Sequence, residues 1–227
     1  MIKGTMNLRP SAPGETARQA RGGRQSVYAR FFKRPLDILM VVTALPVIAP
    51  AIFGISVCIL AAGNGPVLLR VSRKGRDGAI FRQLRFRCVD MRALEMPPVQ
   101  GSAALDAQGR DPRLTVVGEF LIRTRLNALP QVWNVLMGEM SLIGPLPEPV
   151  RVDRQIERNA TLRRVAPGIF CPSELPAYAH LSGKDRKAVA IAYATRVTFA
   201  MDVKVALNAV TSALRSQPPQ PPAPPAT

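Results

Sequence analysis

The chain is poor in the residues on which metal centres, triads and small secreted folds depend. Of its 227 residues only three are cysteine and one is histidine. Cys58, Cys88 and Cys171 lie far apart with no paired spacing, which argues against a zinc knuckle or a disulfide framework and for reduced thiols on the cytosolic side. With His180 as the sole imidazole, a metal centre would need unusual ligands and a triad would rest on that one residue or a different base, so neither is expected. Acidic residues are scarce as well: 15 Asp and Glu stand against 31 Lys and Arg, a formal net charge of +16. Such an excess favours an anionic partner, whether a phospholipid leaflet, a phosphate or nucleotide, or a nucleic acid, without choosing among them.

Charge is missing altogether from residues 38–63, a run longer than the roughly 20 residues a helix needs to cross a bilayer core. Pro46 and Pro50 fall inside it, and each removes a backbone donor and crowds the preceding turn, so a break or sharp bend is expected near the middle. Lys33 and Arg34 precede the run and Arg70, Arg73, Lys74 and Arg76 follow it. Because Lys and Arg resist translocation, basic residues on both flanks favour a re-entrant segment with both ends cytoplasmic over a spanning helix or a buried core helix. The physical objection is that backbone groups freed at the bend must still find partners.

The remaining text divides into a basic, disordered arm (1–30), the hydrophobic membrane-associated helix (31–64), a cytoplasmic domain (65–215) and a proline-dense disordered tail (216–227). Two short apolar runs, 67–71 and 80–86, flank a glycine turn and predict a β-hairpin. Residues 87–110 read as a long polar loop. From 116 to 138 the spacing of Phe120, Leu121, Leu129, Val132 and Leu136 predicts a helix interrupted at Pro130. A last amphipathic helix is expected over about 187–214, with Val189, Tyr193, Val197, Met201 and Val205 along one stripe, packed on the domain or lying on the bilayer. The fold class is α+β, mainly helical: a Pro-broken re-entrant membrane helix, a small hairpin or sheet, and amphipathic interfacial helices.

Several stretches occur in a fixed order. Lys33-Arg34-Pro35-Leu36-Asp37 stands at the start of the apolar run. Gly65-Pro66-Val67, the 73–78 turn, and Phe81 with Leu84-Arg85-Phe86-Arg87 follow. Asp111-Pro112-Arg113-Leu114-Thr115 comes next, then LPQVWNVLMGEMSLIGP over 129–145, Pro167-Gly168-Ile169, and late Tyr193 and Asp202. Together these resemble the bacterial sugar transferases, the monotopic phosphoglycosyl transferases that begin exopolysaccharide, capsule and O-antigen assembly. The resemblance implies a membrane protein of the bacterial inner membrane, cytoplasmic face. It also implies a two-step reaction in which an Asp carboxylate attacks a UDP-sugar, releases UMP, and passes sugar phosphate to polyprenyl phosphate with Mg2+ assisting.

In that family the nucleophile belongs to an Asp-Glu pair directly before Leu-Pro-Gln, and here those positions are Asn127 and Ala128. A neutral amide is a poor nucleophile, and alanine offers neither base nor metal ligand. The resemblance therefore leaves no catalytic residue intact and no metal ligand, with Mg2+ expected only if the protein is active. The family's arginine after Gly-Pro, thought to bind nucleotide, is Leu146 here; its arginine five positions before the nucleophile is Ile122; the lysine of its Lys-Phe-Arg signature is Arg85. Loss concentrates at the polar site while apolar and turn residues persist.

The substrate-binding candidates are Arg85, Arg87, Arg113, Arg123 and Glu148, the arginines because guanidinium forks match phosphate oxygens. Glu139 and Glu148 are the acidic residues nearest the altered pair, poorly placed to replace it. Trp133 reads as a core or interface anchor. The membrane-boundary residues are Lys33, Arg34, Asp37, Pro46 and Pro50, with Asp37 capping or pairing beside Lys33 and Arg34. Expected partners are membrane lipid, a UDP-sugar, polyprenyl phosphate, and an active transferase or other polysaccharide-assembly protein. Nucleic acid is not expected, because only residues 81–87 interleave aromatic and basic side chains. The expected function is a family member with impaired catalysis that acts by binding or regulation; the alternative is a working transferase with a rearranged site.

Overall fold

The computed structural model describes residues 26–63, 65–91, 113–150, 160–175, 178 and 181–214. Most of the basic arm, Asp111, His180, most of the 87–110 loop and the proline-dense tail lie outside the described residues. The described part is mainly helical with two small sheets.

A wide helical turn, Tyr28–Phe32, leads without interruption into α1, Lys33–Ala61. Helical structure thus begins inside the span assigned to the arm. At 1.5 Å per residue, α1 is roughly 43 Å long. Pro46 and Pro50 sit within it on exposed positions, and the helix continues through both rather than breaking there. A proline inside a helix removes its own N–H and leaves the carbonyl four residues earlier unpartnered, yet here its ring points to open space and nothing forces the chain to end.

Burial along α1 follows one stripe. Lys33, Asp37, Val41 and Ile59 are buried, and Ala44, Ile48, Ile52 and Ile55 are half-buried between them. Steps of three and four residues keep these positions on a single face. The other faces are apolar and exposed, as at Val47 and Phe53.

The hairpin expected from the glycine turn is present. Strands β1, Leu68–Lys74, and β2, Ile80–Phe86, pair antiparallel from Leu68 opposite Phe86 to Lys74 opposite Ile80. The connection closes with Gly75 N–H donating to the Ala79 carbonyl at 2.8 Å, Asp77 and Gly78 both taking positive φ.

Helix α2, Val116–Arg123, starts at Thr115, whose hydroxyl accepts from Gly118 N–H at 2.9 Å. The expected interruption comes earlier than Pro130. Arg125 adopts the left-handed conformation at φ 59°, and a short 3-10 turn, Leu126–Ala128, bridges to α3, Gln131–Met137. Pro130 instead sits at the N-cap of α3, where its missing N–H costs nothing. Gly138 ends α3 at φ 90°. Trp133 is not a core residue: it is 60% exposed, one turn from the equally outward Met137.

Beyond α3, β3, Ser141–Ile143, pairs parallel with β5, Gly168–Phe170, while β4, Glu148–Pro149, joins the free edge of β1. The short helix α4, Ala160–Arg163, precedes β5. The single amphipathic helix expected near 187–214 is two helices, α5, Gly183–Thr195, and α6, Phe199–Leu214. Thr198 starts the second, its carbonyl accepting from Asp202 N–H at 3.1 Å. Along one straight helix Tyr193 and Asp202 would stand about 13 Å apart. The turn brings the Tyr193 hydroxyl to Asp202 Oδ1 at 2.6 Å.

Three apolar groups form the core. Val41 packs with Phe81, Val132, Val135 and Met140; Ile59 with Phe86, Cys88 and Leu121; and Ile143 with Leu175, Tyr193, Val197 and Val205. The first two each include a residue of α1, so the apolar helix is part of the core it is attached to.

Candidate functional site

The turn carrying Asn127 and Ala128 is held by its apolar neighbours. Leu126 and Leu129 pack against the group formed by Phe86, Leu121 and Ile59, which fixes the turn against β2. Asn127 and Ala128 are half-buried between them. One turn into α3, Asn134 locks the same strand: its Oδ1 accepts from Leu84 N–H at 3.0 Å and its Nδ2 donates to the Arg82 carbonyl at 2.9 Å. Asn134 Nδ2 also reaches Glu139 Oε2 at 2.6 Å. Glu139 therefore serves this clamp, and it is not presented as a reactive group.

Antiparallel register puts Leu69, Val71 and Arg73 of β1 on the same face as Arg85, Gln83 and Phe81 of β2. Three polar atoms on that face, Arg73 Nε, Gln83 Oε1 and Arg85 Nε, are buried without a hydrogen-bond partner. Unpaired buried polar atoms cost on the order of 1–3 kcal/mol each, and two cations side by side add repulsion. Burial first and Arg73 second hold the Arg85 guanidinium below its ordinary pKa, with Glu174 opposing. Glu174, in the turn after β5, is thus the carboxylate that Arg85 feels.

The other candidates have separate positions. Arg87 is 3% exposed and donates to the Ile59 and Gly63 carbonyls at 3.1 and 2.9 Å, closing the C-terminal end of α1. Arg113 is half-buried beside the bridge between Val89 and Leu114, its carbonyl accepting from Asp90 N–H at 2.9 Å. Arg123 is exposed at the end of α2. Neither shares the sheet face of Arg85. Glu148 stands across from Lys74 in the β1–β4 ladder, in a cleft bounded by Leu146 and Arg163.

The boundary residues are tied into the domain. Lys33 makes a buried ion pair with Asp202 and lies 3.3 Å from the Tyr193 hydroxyl. Tyr28 donates to Asp202 at 2.9 Å. Burial, with Asp202 beside it, pushes the Tyr193 hydroxyl far above the ordinary tyrosine range, so it stays a donor. Arg34 donates to the Val135 and Leu136 carbonyls at the end of α3, where a cation also meets the helix dipole. Asp37 is not an N-cap but lies inside α1, where it feels the Lys33 charge and hydrogen-bonds the Ser141 hydroxyl at 2.6 Å.

Magnesium normally takes one or two carboxylates together with substrate phosphates. Among the described residues no three His, Cys, Asp or Glu side chains gather. The 127–128 turn offers one neutral amide oxygen. This donor set does not fit magnesium, and no step is assigned to it.

Sequence reasoning missed Gln83, Glu174, Asn134 and Arg163 as site residues. Period-two alternation through the hairpin could have put Gln83 and Arg73 beside Arg85; nothing in the sequence brings Glu174 or Arg163 near.

These observations describe a mainly helical domain whose apolar N-terminal helix is fastened at both ends and whose hairpin presents arginines on one face. Residues 28–216 match the family described as bacterial sugar transferase, and the chain belongs to that family. It is 38% identical over 144 residues to a UDP-glucose:undecaprenyl-phosphate glucose-1-phosphate transferase of Escherichia coli (strain K12), covering 62% of this chain and 30% of that protein. It is 37% identical over 147 residues to a UDP-N-acetylgalactosamine-undecaprenyl-phosphate N-acetylgalactosaminephosphotransferase of Aeromonas hydrophila, covering 63% and 33%. A UDP-galactose-lipid carrier transferase of Erwinia amylovora is 33% identical over 141 residues, 58% of this chain and 29% of that one. The chain spans about a third of the length of these relatives.

Proposed function

We propose that this chain is a sugar transferase scaffold that binds phosphate-bearing ligands at the cytoplasmic face of the bacterial inner membrane without transferring sugar phosphate. Its ligands are a UDP-sugar and polyprenyl phosphate, the substrate types named for its relatives. Its role is to bind or regulate an active transferase or another protein of polysaccharide assembly. The observation that carries this reading is a turn, packed by Leu126 and Leu129, that holds Asn127 and Ala128 where chemistry requires carboxylates. The sheet face of Arg73 and Arg85 supplies donors for a phosphate.

Membrane docking rests on α1. Lys33 and Arg34 fasten its first turn, and Arg87 its last, to one and the same domain. Ends so tied favour both staying on one side of a bilayer, with the continuous helix lying in the leaflet along the domain rather than crossing it. The apolar faces left open, with Phe120 and Trp133 outside α2 and α3, suit lipid contact.

A second reading, a working transferase with a rearranged site, draws on Glu174, a carboxylate near Arg85. A radiolabelled UDP-sugar panel with polyprenyl phosphate and magnesium separates the two. The first reading expects ligand retention and no UMP release. Release of UMP that Asn127→Ala or Glu174→Gln abolishes, or a phospho-sugar adduct trapped on any side chain, would sink it.

A further inference from the structure

One buried cluster has fewer hydrogens than acceptors. Asp37, on the inner face of α1, and Ser141, at the start of β3, are 6% and 3% exposed, and their side-chain oxygens lie 2.6 Å apart. Ser141 Oγ also stands 3.0 Å from the Ile143 carbonyl. A serine hydroxyl has a single hydrogen, so it cannot donate to the carbonyl and to an ionised carboxylate at once. Tyr193 does not relieve the shortage: its hydroxyl lies 3.2 Å from the same carbonyl, but its hydrogen goes to Asp202 Oδ1 at 2.6 Å. Charge is short in the same way. Lys33 is the cation of the cluster among the described residues, and it is paired with Asp202. Arg34, next to it, is turned to the Val135 and Leu136 carbonyls. An ionised Asp37 would leave a net negative charge buried, which is costly.

We propose that Asp37 is a protonated carboxyl at neutral pH and donates to Ser141 Oγ, forming a proton-held latch between the apolar helix and β3. An O···O separation of 2.6 Å fits donation from either side. With Asp37 donating, Ser141 gives its own hydrogen to the Ile143 carbonyl, and the Leu142 N–H still has a carboxyl oxygen to bond. Every acceptor is then served, and the cluster is neutral with Lys33 against Asp202. The titratable groups that face Asp37 are Lys33 on its own helix, Asp202 on α6, and the Tyr28 and Tyr193 hydroxyls. Burial pushes the Asp37 carboxyl up, and Asp202 acts in the same direction, against Lys33, Ser141 and the Leu142 N–H. Loss of this proton takes the donor from the Ile143 carbonyl and leaves a charge buried between α1 and β3, so alkaline conditions loosen the helix from the domain.

The test follows melting temperature against pH for the full chain in nanodiscs, together with the infrared stretch of protonated carboxyl groups. A carboxyl that keeps its proton when folded and loses it when unfolded withdraws stability as pH rises above its ordinary 3.8, until the folded group ionises too. Asp37→Asn keeps a donor and an acceptor without the charge. It is expected to melt about 2–4 °C or more above the unaltered chain, by a margin that widens between about pH 5 and about pH 8. The protonated-carboxyl band at neutral pH should disappear in Asp37→Asn and shift in Ser141→Ala. If Asp37→Asn does not fold, the band and its response to Ser141→Ala carry the test. A margin that stays flat or reverses, with Asp37→Asn melting lower as pH rises, would show an ionised Asp37 and overturn the latch. So would a neutral-pH spectrum without the band, or a band that vanishes in Asp202→Asn and survives in Asp37→Asn.

Discussion

The ammonium of Lys33, in the first turn of the apolar helix, forms a buried ion pair with the carboxylate of Asp202, 169 positions later in the chain. Tyr28 and Tyr193 donate to the same carboxylate. The start of the apolar helix is thereby fastened to the first turn of the last helix. Removing Asp202 leaves the buried Lys33 charge unpaired and takes an acceptor from both tyrosine hydroxyls, of which Tyr193 keeps only the Ile143 carbonyl at 3.2 Å, a loss on the order of 3–5 kcal/mol. Asp202→Ala should therefore lower the melting temperature strongly in detergent, and Lys33→Met combined with Asp202→Leu should cost less than the sum of the single changes. Strict additivity in that cycle would contradict the pairing.

Gly118 meets the chain around Cys88 more closely than any side chain permits. A Cβ there would lie 1.9 Å from the Cys88 carbonyl oxygen, which is backbone and cannot swing away. The bridge between Val89 and Leu114 and the Thr115 N–H bond to the Cys88 carbonyl would have to open. Gly118→Ala should destabilise by roughly 1–3 kcal/mol or more, as overpacking does. Gly54→Ala is the control, since nothing lies within 4 Å of that position. Equal melting temperatures for the two variants would refute the close approach.

Burial pushes the Cys88 thiol up to about 11 from an ordinary 9.0, Arg85 opposing. The folded state thus keeps a proton that the unfolded chain releases first. This thiol leaves stability unchanged by pH below 9 and makes it fall as pH rises from 9 to 11. Unfolding by urea across that window should fall less steeply in Cys88→Ala than in the unaltered chain. Parallel slopes would show that the thiol does not titrate this way.

Because both ends of the apolar helix are tied to one domain, single cysteines at Ser26 and Arg76, in a chain with its native cysteines replaced by alanine, should be labelled by a membrane-impermeant maleimide only after the cytoplasmic side is opened. Labelling of either one from the periplasmic side of intact cells would require a spanning helix.

Asn127→Asp with Ala128→Glu places an acidic pair in the short turn Leu126–Ala128. Manganese binding followed by electron paramagnetic resonance should become measurable, while the melting temperature drops by a few degrees because half-buried positions gain charge. No gain in metal binding would mean that the turn no longer has the geometry of an ion site.

The hairpin was legible from its apolar runs and glycine turn, and family membership from the ordered motifs, because both depend on residues close together in the chain. The interruption before α3 was misplaced because Arg125 in a left-handed conformation, about 1 kcal/mol or more above the common regions, leaves no compositional trace. The division of the last helix was missed for a related reason. The stripe of Val189, Tyr193, Val197 and Val205 is correct for burial, but periodicity does not reveal that the chain turns at Thr198 to satisfy the Tyr193 hydroxyl and Lys33 with one carboxylate.

By itself, the sequence determined an apolar segment long enough to enter a bilayer, a basic domain behind it, and the neutral Asn127 and Ala128 directly before Leu129-Pro130-Gln131, since each follows from which side chains are present. Which arginines act together was decided only by the tertiary structure. Strand register brings Arg73 to the face of Arg85, packing of α4 brings Arg163 to Lys74 and Glu148, and the carbonyls at the end of α1 draw Arg87 away. A guanidinium has the same charge wherever it stands in a sequence; its role depends on what burial denies it and which oxygen atoms lie within reach.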